Sequence, residues 1–406
     1  MSLLRDSDVA LWRLEETVYS PTLTHRRPQI LVCCGEPSGD LYGAELVRQL
    51  QSLEPDLEAF GLGGDRLRAA GLDVICDIRE LAVVGLVEVL SHLRRIWRVF
   101  RLVLAEADRR QPALAVLIDY PDFNMRLARR LRARGVPVVY YISPQVWAWR
   151  RGRVRAIRET VSHMIVLFPF EEPLYREAGV PVTFVGHPLV DLVRPAADRD
   201  AFIRSCGLDP ARPVVGLLPG SRQKEVAFNF PAIRGAVARV ASARPDVQFL
   251  LAVAPSLDTE ELRQTASGAP IRLVAGQAHA VLSVASAAVV ASGTATVEAA
   301  LLGVPMVVVY RVSALTYTLG RPFVRVPHFA MVNLIAGRGV VPELIQDDFT
   351  PENVAAEVLS LLGNRERLEG MRRDLLRVRE LVGEPGASRR AAEVVRSLLG
   401  PWAKNA

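Results

Sequence analysis

The chain has 406 residues, of which 50% are hydrophobic and 6% aromatic, and a formal charge of +6. That length is large for one core and predicts two domains, while the apolar content excludes a disordered chain. The positive balance favours anionic partners, yet no zinc-finger spacing, RNP-like aromatic motif or long basic run points to nucleic acid.

Residues 1–28 read as an N-terminal extension. It carries Arg5, Asp6, Asp8, Glu15 and Glu16 and has no apolar run of signal-peptide length, and no later segment is a clean membrane span. From Gln29 the pattern alternates. "PQILVCCGEPSGDLYGAELVRQL" reads as strand, turn and helix, and its glycine-rich loop with Ser38, Gly39 and Asp40 could cradle an anion or simply cap the helix. Cys33, Cys34, Cys76 and Cys206 include no C-x-x-C, which suits neither a disulfide framework nor a zinc site and predicts a reducing cytoplasm. The six histidines show no H-E-x-x-H or H-x-H spacing and are read as structural.

In "LAVVGLVEVLSHLRRIWRVFRLVL", Leu81 to Leu104, apolar residues recur at helical spacing with Arg94, Arg95, Arg98 and Arg101 interleaved. One face of such a helix can pack inward while another meets lipid headgroups or acyl chains. Next, "VLIDYPDFN" places Asp119 after the apolar run Leu114 to Ile118, at the cleft end of a strand, where burial raises a carboxyl pKa and suits it to general-base work. Asp122 is read instead as an Asx-turn or a helix cap.

A polar, proline-containing stretch, residues 192–213, reads as a linker. It holds a DxD string, Asp198-Arg199-Asp200, which does not follow an apolar strand and so reads as solvated linker rather than a metal site. The alternation then resumes. In "LLPGSRQKEV", Gly220, Ser221 and Arg222 follow a strand, and an arginine there can pair bidentately with a diphosphate. In "VVASGTATVEAALLGVPMVV", Gly293, Thr294 and Thr296 interrupt two apolar runs at a strand-to-helix turn, where unpaired helix N–H groups meet small hydroxyls. Capping and phosphate binding require the same residue types there. Short apolar strands alternating with helices predict an α/β protein with two doubly wound parallel sheets facing a central cleft, residues 29–191 and 214–384, and a C-terminal helix within 385–406.

Seven stretches in order, "GEPSGDLYGAELVRQL", "LAVVGLVEVL", "IDYPDFN", "YYISPQVWAWRRGRV", "LLPGSRQKEV", "ASGTATVEAALLGVPMVVVYR" and "VNLIAGRGVVPELIQ", together resemble the lipid-A-disaccharide synthases from about Gln29 to the C-terminus. The resemblance implies a GT-B fold with two Rossmann-like domains, the first for acceptor and membrane and the second for the UDP-sugar. It implies an inverting glycosyltransferase that moves 2,3-diacylglucosamine from UDP to the 6-hydroxyl of 2,3-diacylglucosamine 1-phosphate, giving a β-1,6-linked disaccharide 1-phosphate. Asp119 matches the family's essential aspartate and takes the base role. Gly220, Ser221 and Arg222 would clamp the diphosphate, Gly293, Thr294 and Thr296 would cradle it, Glu298 would reach the ribose, and Asn333 falls on the nucleotide-side motif. The family's membrane-facing patch falls on Val87, Val89, Leu90, Leu93, Ile96 and Trp97.

From this resemblance no metal and no cofactor are expected, the UDP-sugar being substrate, and the chain is expected peripherally on the cytoplasmic face of the inner membrane. The C-terminal helix would cross back to the first domain, either within one chain or exchanged in a homodimer. Two neighbouring enzyme classes share features with this pattern. A UDP-N-acetylglucosamine 2-epimerase has a similar SG-x-x-x-E turn but no need of the Leu81–Leu104 segment, and a transferase with a polyprenyl-linked acceptor would keep the apolar face.

Overall fold

The computed structural model describes residues 27–81, 89–144, 153–313, 317 and 327–400. Residues 1–26 of the extension and Val87 therefore lie outside the described residues, as does the stretch 145–152.

Two parallel sheets organise the chain. The first comprises β1 (Gln29–Cys34), β2 (Glu58–Gly63), β3 (Asp73–Asp77), β4 (Leu114–Ile118), β5 (Val138–Tyr141), β6 (His163–Val166) and β7 (Val182–Phe184), in the order β3-β2-β1-β4-β5-β6-β7. The second comprises β8 (Val214–Leu218), β9 (Gln248–Val253), β10 (Ile271–Ala275), β11 (Ala287–Ala291), β12 (Met306–Tyr310) and β13 (Glu343–Ile345), in the order β10-β9-β8-β11-β12-β13. Every pairing is parallel. The central strands are apolar throughout because helices cover both faces, and every residue of β4, β8 and β11 is buried.

Successive residues of a strand serve opposite cores. In the first sheet Ile30, Val32 and Ile118 face a core shared with the Pro37–Leu53 helix and continuous with that of the second sheet. Leu31, Cys33 and Leu117 face a second core with Val99, Val103 and Leu127, from helices Val89–Arg110 and Pro121–Arg132.

The stretch read as a linker is more ordered than its composition suggests. Helix Arg199–Ser205 lies within it, capped by the Asp198 carboxylate, which accepts from the Ala201 N–H at 2.9 Å. Gln248 on β9 exchanges two 2.8 Å hydrogen bonds with the Asp209 backbone, tying the end of this stretch to the second sheet. The DxD string is thus a helix start, as Asp and Asn commonly are.

The C-terminal helix Ala387–Leu398 returns to the first sheet and packs on Pro37–Leu53 of the same chain. Arg396 pairs with Glu54 at 2.5 Å and Arg389 donates to Ser52 Oγ at 3.2 Å. The two connections between the sheets run side by side, with His187 N–H donating to Val382 O at 3.1 Å and Gly386 N–H to the Asp191 carboxylate at 2.8 Å. Gly383 has φ +104°, and a Cβ there would lie 3.0 Å from Gly186 Cα, so only glycine permits this crossing.

Candidate active site

In both sheets the connections reverse direction between two central strands, β1 and β4 in the first and β8 and β11 in the second. A crevice opens there beyond the carboxyl ends of the strands, the usual ligand position in such sheets. The loops at these two points carry Glu36, Asp119, Arg222 and Gly293.

Asp119 follows β4 on a turn that local preference opposes. Asp119 and Tyr120 have φ of +47° and +48°, successive left-handed residues without glycine. Each costs roughly 1–3 kcal/mol and persists only where its surroundings dictate it. Here they do. The Asp119 carbonyl accepts from Tyr140 Oη at 2.7 Å and Asn124 Nδ2 at 2.8 Å, and its N–H donates to Tyr141 O at 3.0 Å. Gly35 makes room for the Tyr120 ring, which a Cβ there would approach to 2.3 Å. Phe123 packs on Tyr120 at 5.9 Å and on Phe100 at 5.5 Å, so aromatic contacts join the turn to the Val89–Arg110 helix.

The electrostatics of Asp119 follow from this setting. Burial, reinforced by the negative charge of Glu36, pushes its carboxyl up to about 6, against the opposing pull of the Tyr120 N–H and of Arg222. Arg222 comes from the other sheet. Its Nη2 donates to Glu36 Oε2 at 2.8 Å and its Nη1 to Glu225 Oε1 at 3.1 Å, so the two halves already meet through a charged pair beside Asp119. The Ser221 N–H donates to Glu225 Oε2 at 3.1 Å. Gly220, at φ +132°, closes this turn, and a Cβ there would sit 2.7 Å from Glu225 Cβ.

At the second sheet's other loop, Gly293 and Thr294 are exposed at the start of helix Thr294–Leu301, and beyond its two chain neighbours nothing lies within 4 Å of where a Gly293 Cβ would be. Open space beside unpaired helix N–H groups is what an anion requires. Glu298 lies one turn further on, its carboxylate 3.6 Å from His279 Nε2.

Several expected ligand contacts are placed otherwise. Thr296 is fully buried and its hydroxyl donates to Gly293 O at 2.8 Å, so it shapes the turn from behind. Asn333 is also fully buried. Its Nδ2 donates to Val341 O at 3.0 Å and Glu343 Oε1 at 2.7 Å, and its Oδ1 accepts from the N–H groups of Val340 and Val341. Its hydrogen-bonding capacity is therefore occupied internally, and it supports the Phe329–Ala330 loop, whose N–H groups donate to Glu343 and whose Phe329 carbonyl accepts from Ser292 Oγ. Asp40 caps a distant helix, accepting from the N–H groups of Gly64, Arg66 and Leu67. Gly39 is buried in the first turn of Pro37–Leu53, against Cys34 and Ile118, while Ser38 beside it is half-exposed. These three residues build a helix start rather than an interdomain loop.

Of the proposed membrane patch, the side chains of Val89, Leu90 and Leu93 lie outside the described residues, as does Val87. Ile96 packs inward against the core, whereas Trp97 is 60% exposed. Around Trp97 lie Arg94, Arg98, Arg101 and Leu102, lining a shallow groove, with the Arg101 guanidinium 4.6 Å above the indole. Leu102, also exposed, was not anticipated. Glu36, Asn124 and Tyr140 were likewise missed. Glu36 had a readable signal, an acid two residues after an apolar strand, and Asn124 stood within the "IDYPDFN" string.

The profile of the lipid-A-disaccharide synthetase family matches residues 30–397. The chain belongs to this family. The lipid-A-disaccharide synthase of Geobacter sulfurreducens is 48% identical over 92% of this chain and 97% of its own length, and that of Myxococcus xanthus 46% identical over 92% and 98%. As a member of the lipid-A-disaccharide synthetase family, the chain is a glycosyltransferase that forms the lipid A disaccharide. Among solved structures, the UDP-GlcNAc 2-epimerase of Neisseria meningitidis superposes with a TM-score of 0.64 at 12% identity, over 91% of this chain and all of that one. A calicheamicin glycosyltransferase gives 0.57 at 19% identity, over 92% and 99%. At such identities the likeness establishes the GT-B fold alone.

Proposed function

We propose that the chain transfers 2,3-diacylglucosamine from its UDP derivative to the 6-hydroxyl of 2,3-diacylglucosamine 1-phosphate, with inversion and without a metal, at the cytoplasmic surface of the inner membrane. The observation that carries this reading is the Asp119 carboxylate, held on a strained turn and pushed up to about 6, with Arg222 of the opposite sheet in electrostatic reach. A base of that strength is ionised at neutral pH yet strong enough to draw the proton from a hydroxyl as it attacks.

In the single displacement, the acceptor oxygen bonds to the anomeric carbon as the bond to the UDP oxygen breaks. The hydroxyl proton passes to Asp119, and the departing oxygen keeps the bonding electron pair. Arg222 and the N–H groups at the start of Thr294–Leu301 stabilise the charge that gathers on the diphosphate. Arg222 would exchange its pairing with Glu36 for the diphosphate, and Glu298 would take the ribose. Inversion in one step requires no second carboxylate as nucleophile.

Trp97 and Leu102 among Arg94, Arg98 and Arg101 form the composition of an interfacial surface, and no helix among the described residues is long and apolar enough to cross a membrane. The acylated substrates would be drawn from that surface. The test is UDP release by the full chain in detergent micelles with EDTA, given UDP-diacylglucosamine with and without diacylglucosamine 1-phosphate. Acceptor-dependent release with a disaccharide product supports the proposal. Release without acceptor, or conversion of UDP-N-acetylglucosamine to its epimer, overturns it.

A further inference from the structure

Glu298 has 19% of its side chain exposed, and a carboxylate so largely withdrawn from water is held by the polar groups around it. Two groups face it. From the first sheet's side comes Tyr42, on the Pro37–Leu53 helix. Its hydroxyl is pushed above the usual phenol range by burial first and then by the charge of Glu298. From the second sheet comes His279, whose Nε2 stands 3.6 Å from Glu298 Oε2. Among the described residues His279 is the basic side chain paired with this carboxylate.

The placement of His279 follows from the chain path. β10 ends at Ala275, Gly276 turns at φ +70°, and helix Ala278–Val284 then crosses β9 and β8 to pack on Thr294–Leu301. His279 is in the first turn of that helix, at the carboxyl edge of the sheet, and is 31% exposed. It therefore lies beside the crevice rather than in a core.

We infer that His279 is a positioning residue for the nucleotide half of the site, holding the Glu298 carboxylate in the orientation that receives the ribose hydroxyls. The inference rests on the proposed role of Glu298. At 3.6 Å the contact is longer than a hydrogen bond and is an ion pair only when the imidazole is protonated, so the effect is electrostatic orientation rather than a shared proton.

The experiment measures UDP binding by calorimetry and steady-state kinetics on the full chain for His279→Ala, His279→Arg, Glu298→Ala and the Ala–Ala double variant. His279→Ala should raise Kd for UDP and KM for the UDP-sugar about fivefold, as expected of a partly exposed ion pair, with kcat unchanged. His279→Arg, which places a permanent cation in reach, should restore both. In the double variant His279→Ala should add nothing to Glu298→Ala. The inference is overturned if His279→Ala binds UDP as the natural chain does, if His279→Arg does not restore binding, or if the two losses are additive. If Glu298→Ala itself leaves UDP binding intact, the ribose role of Glu298 falls and the inference with it.

Discussion

Asp119→Asn should inactivate the enzyme and stabilise its fold. The carboxyl is raised from 3.8 to about 6, which means that folding disfavours its charged form. Two units correspond to about 3 kcal/mol at roughly 1.4 kcal/mol per unit. Below pH 3.8 the group is protonated in both states and nothing is lost. As pH rises toward 6 the unfolded chain ionises first, and above 6 the native state carries the full penalty. Asparagine is nearly isosteric, tolerates a left-handed backbone, and has no charge to desolvate. Its advantage over the natural residue should thus be about 3 kcal/mol at pH 8 and about 1 kcal/mol at pH 4.5. Urea unfolding at the two pH values, followed by tryptophan fluorescence, measures this, with UDP release on the same samples. An Asn variant less stable than the natural chain at pH 8, or an advantage independent of pH, would refute the argument that burial sets this carboxyl.

Arg222→Ala removes a fork that now bridges Glu36 and Glu225 and, on the proposed mechanism, pairs with the diphosphate. At roughly 1.5–3 kcal/mol per charge-assisted bond, kcat/KM for the UDP-sugar should fall by about 10- to 100-fold. Asn333→Ala strands buried backbone N–H groups of Val340 and Val341 and part of Glu343, and should destabilise the chain by about 2–4 kcal/mol in urea titrations. Phe123→Leu loosens the packing behind Tyr120, and steady-state kinetics should show a lower kcat with KM for the UDP-sugar near its original value. Trp97→Ala with Arg98→Glu should reduce cosedimentation with anionic vesicles at least tenfold while leaving urea stability unchanged, since both side chains face outward.

The architecture was legible because buried parallel strands announce themselves. Runs such as Leu114 to Ile118 and Val214 to Leu218 are apolar throughout, and helices alternate with them, so the residues just after each run had to lie along one edge. Asp119, Arg222 and Gly293 were found on that logic alone. What the pattern does not distinguish is a polar group facing a ligand from one bracing the turn behind it. Thr296 and Asn333 have the composition of phosphate or nucleotide contacts, yet their hydrogen bonds close within the fold. Asp40 is a sharper case, since its partners are the N–H groups of a helix that begins at Asp65. No local window contains both. Ile96 and Trp97 are adjacent on one helix, and only the packing of that helix on the first sheet decides which faces inward.

The most direct test of the central claim is the pH dependence of kcat/KM for disaccharide formation, measured in mixed micelles with the natural chain and Asp119→Asn. If Asp119 is the base, the rate falls on the acid side with an apparent pKa of about 6, and the Asn variant is slow and flat across that range. An acid limb in the ordinary carboxylate range, or a variant that retains the natural rate, would contradict the account.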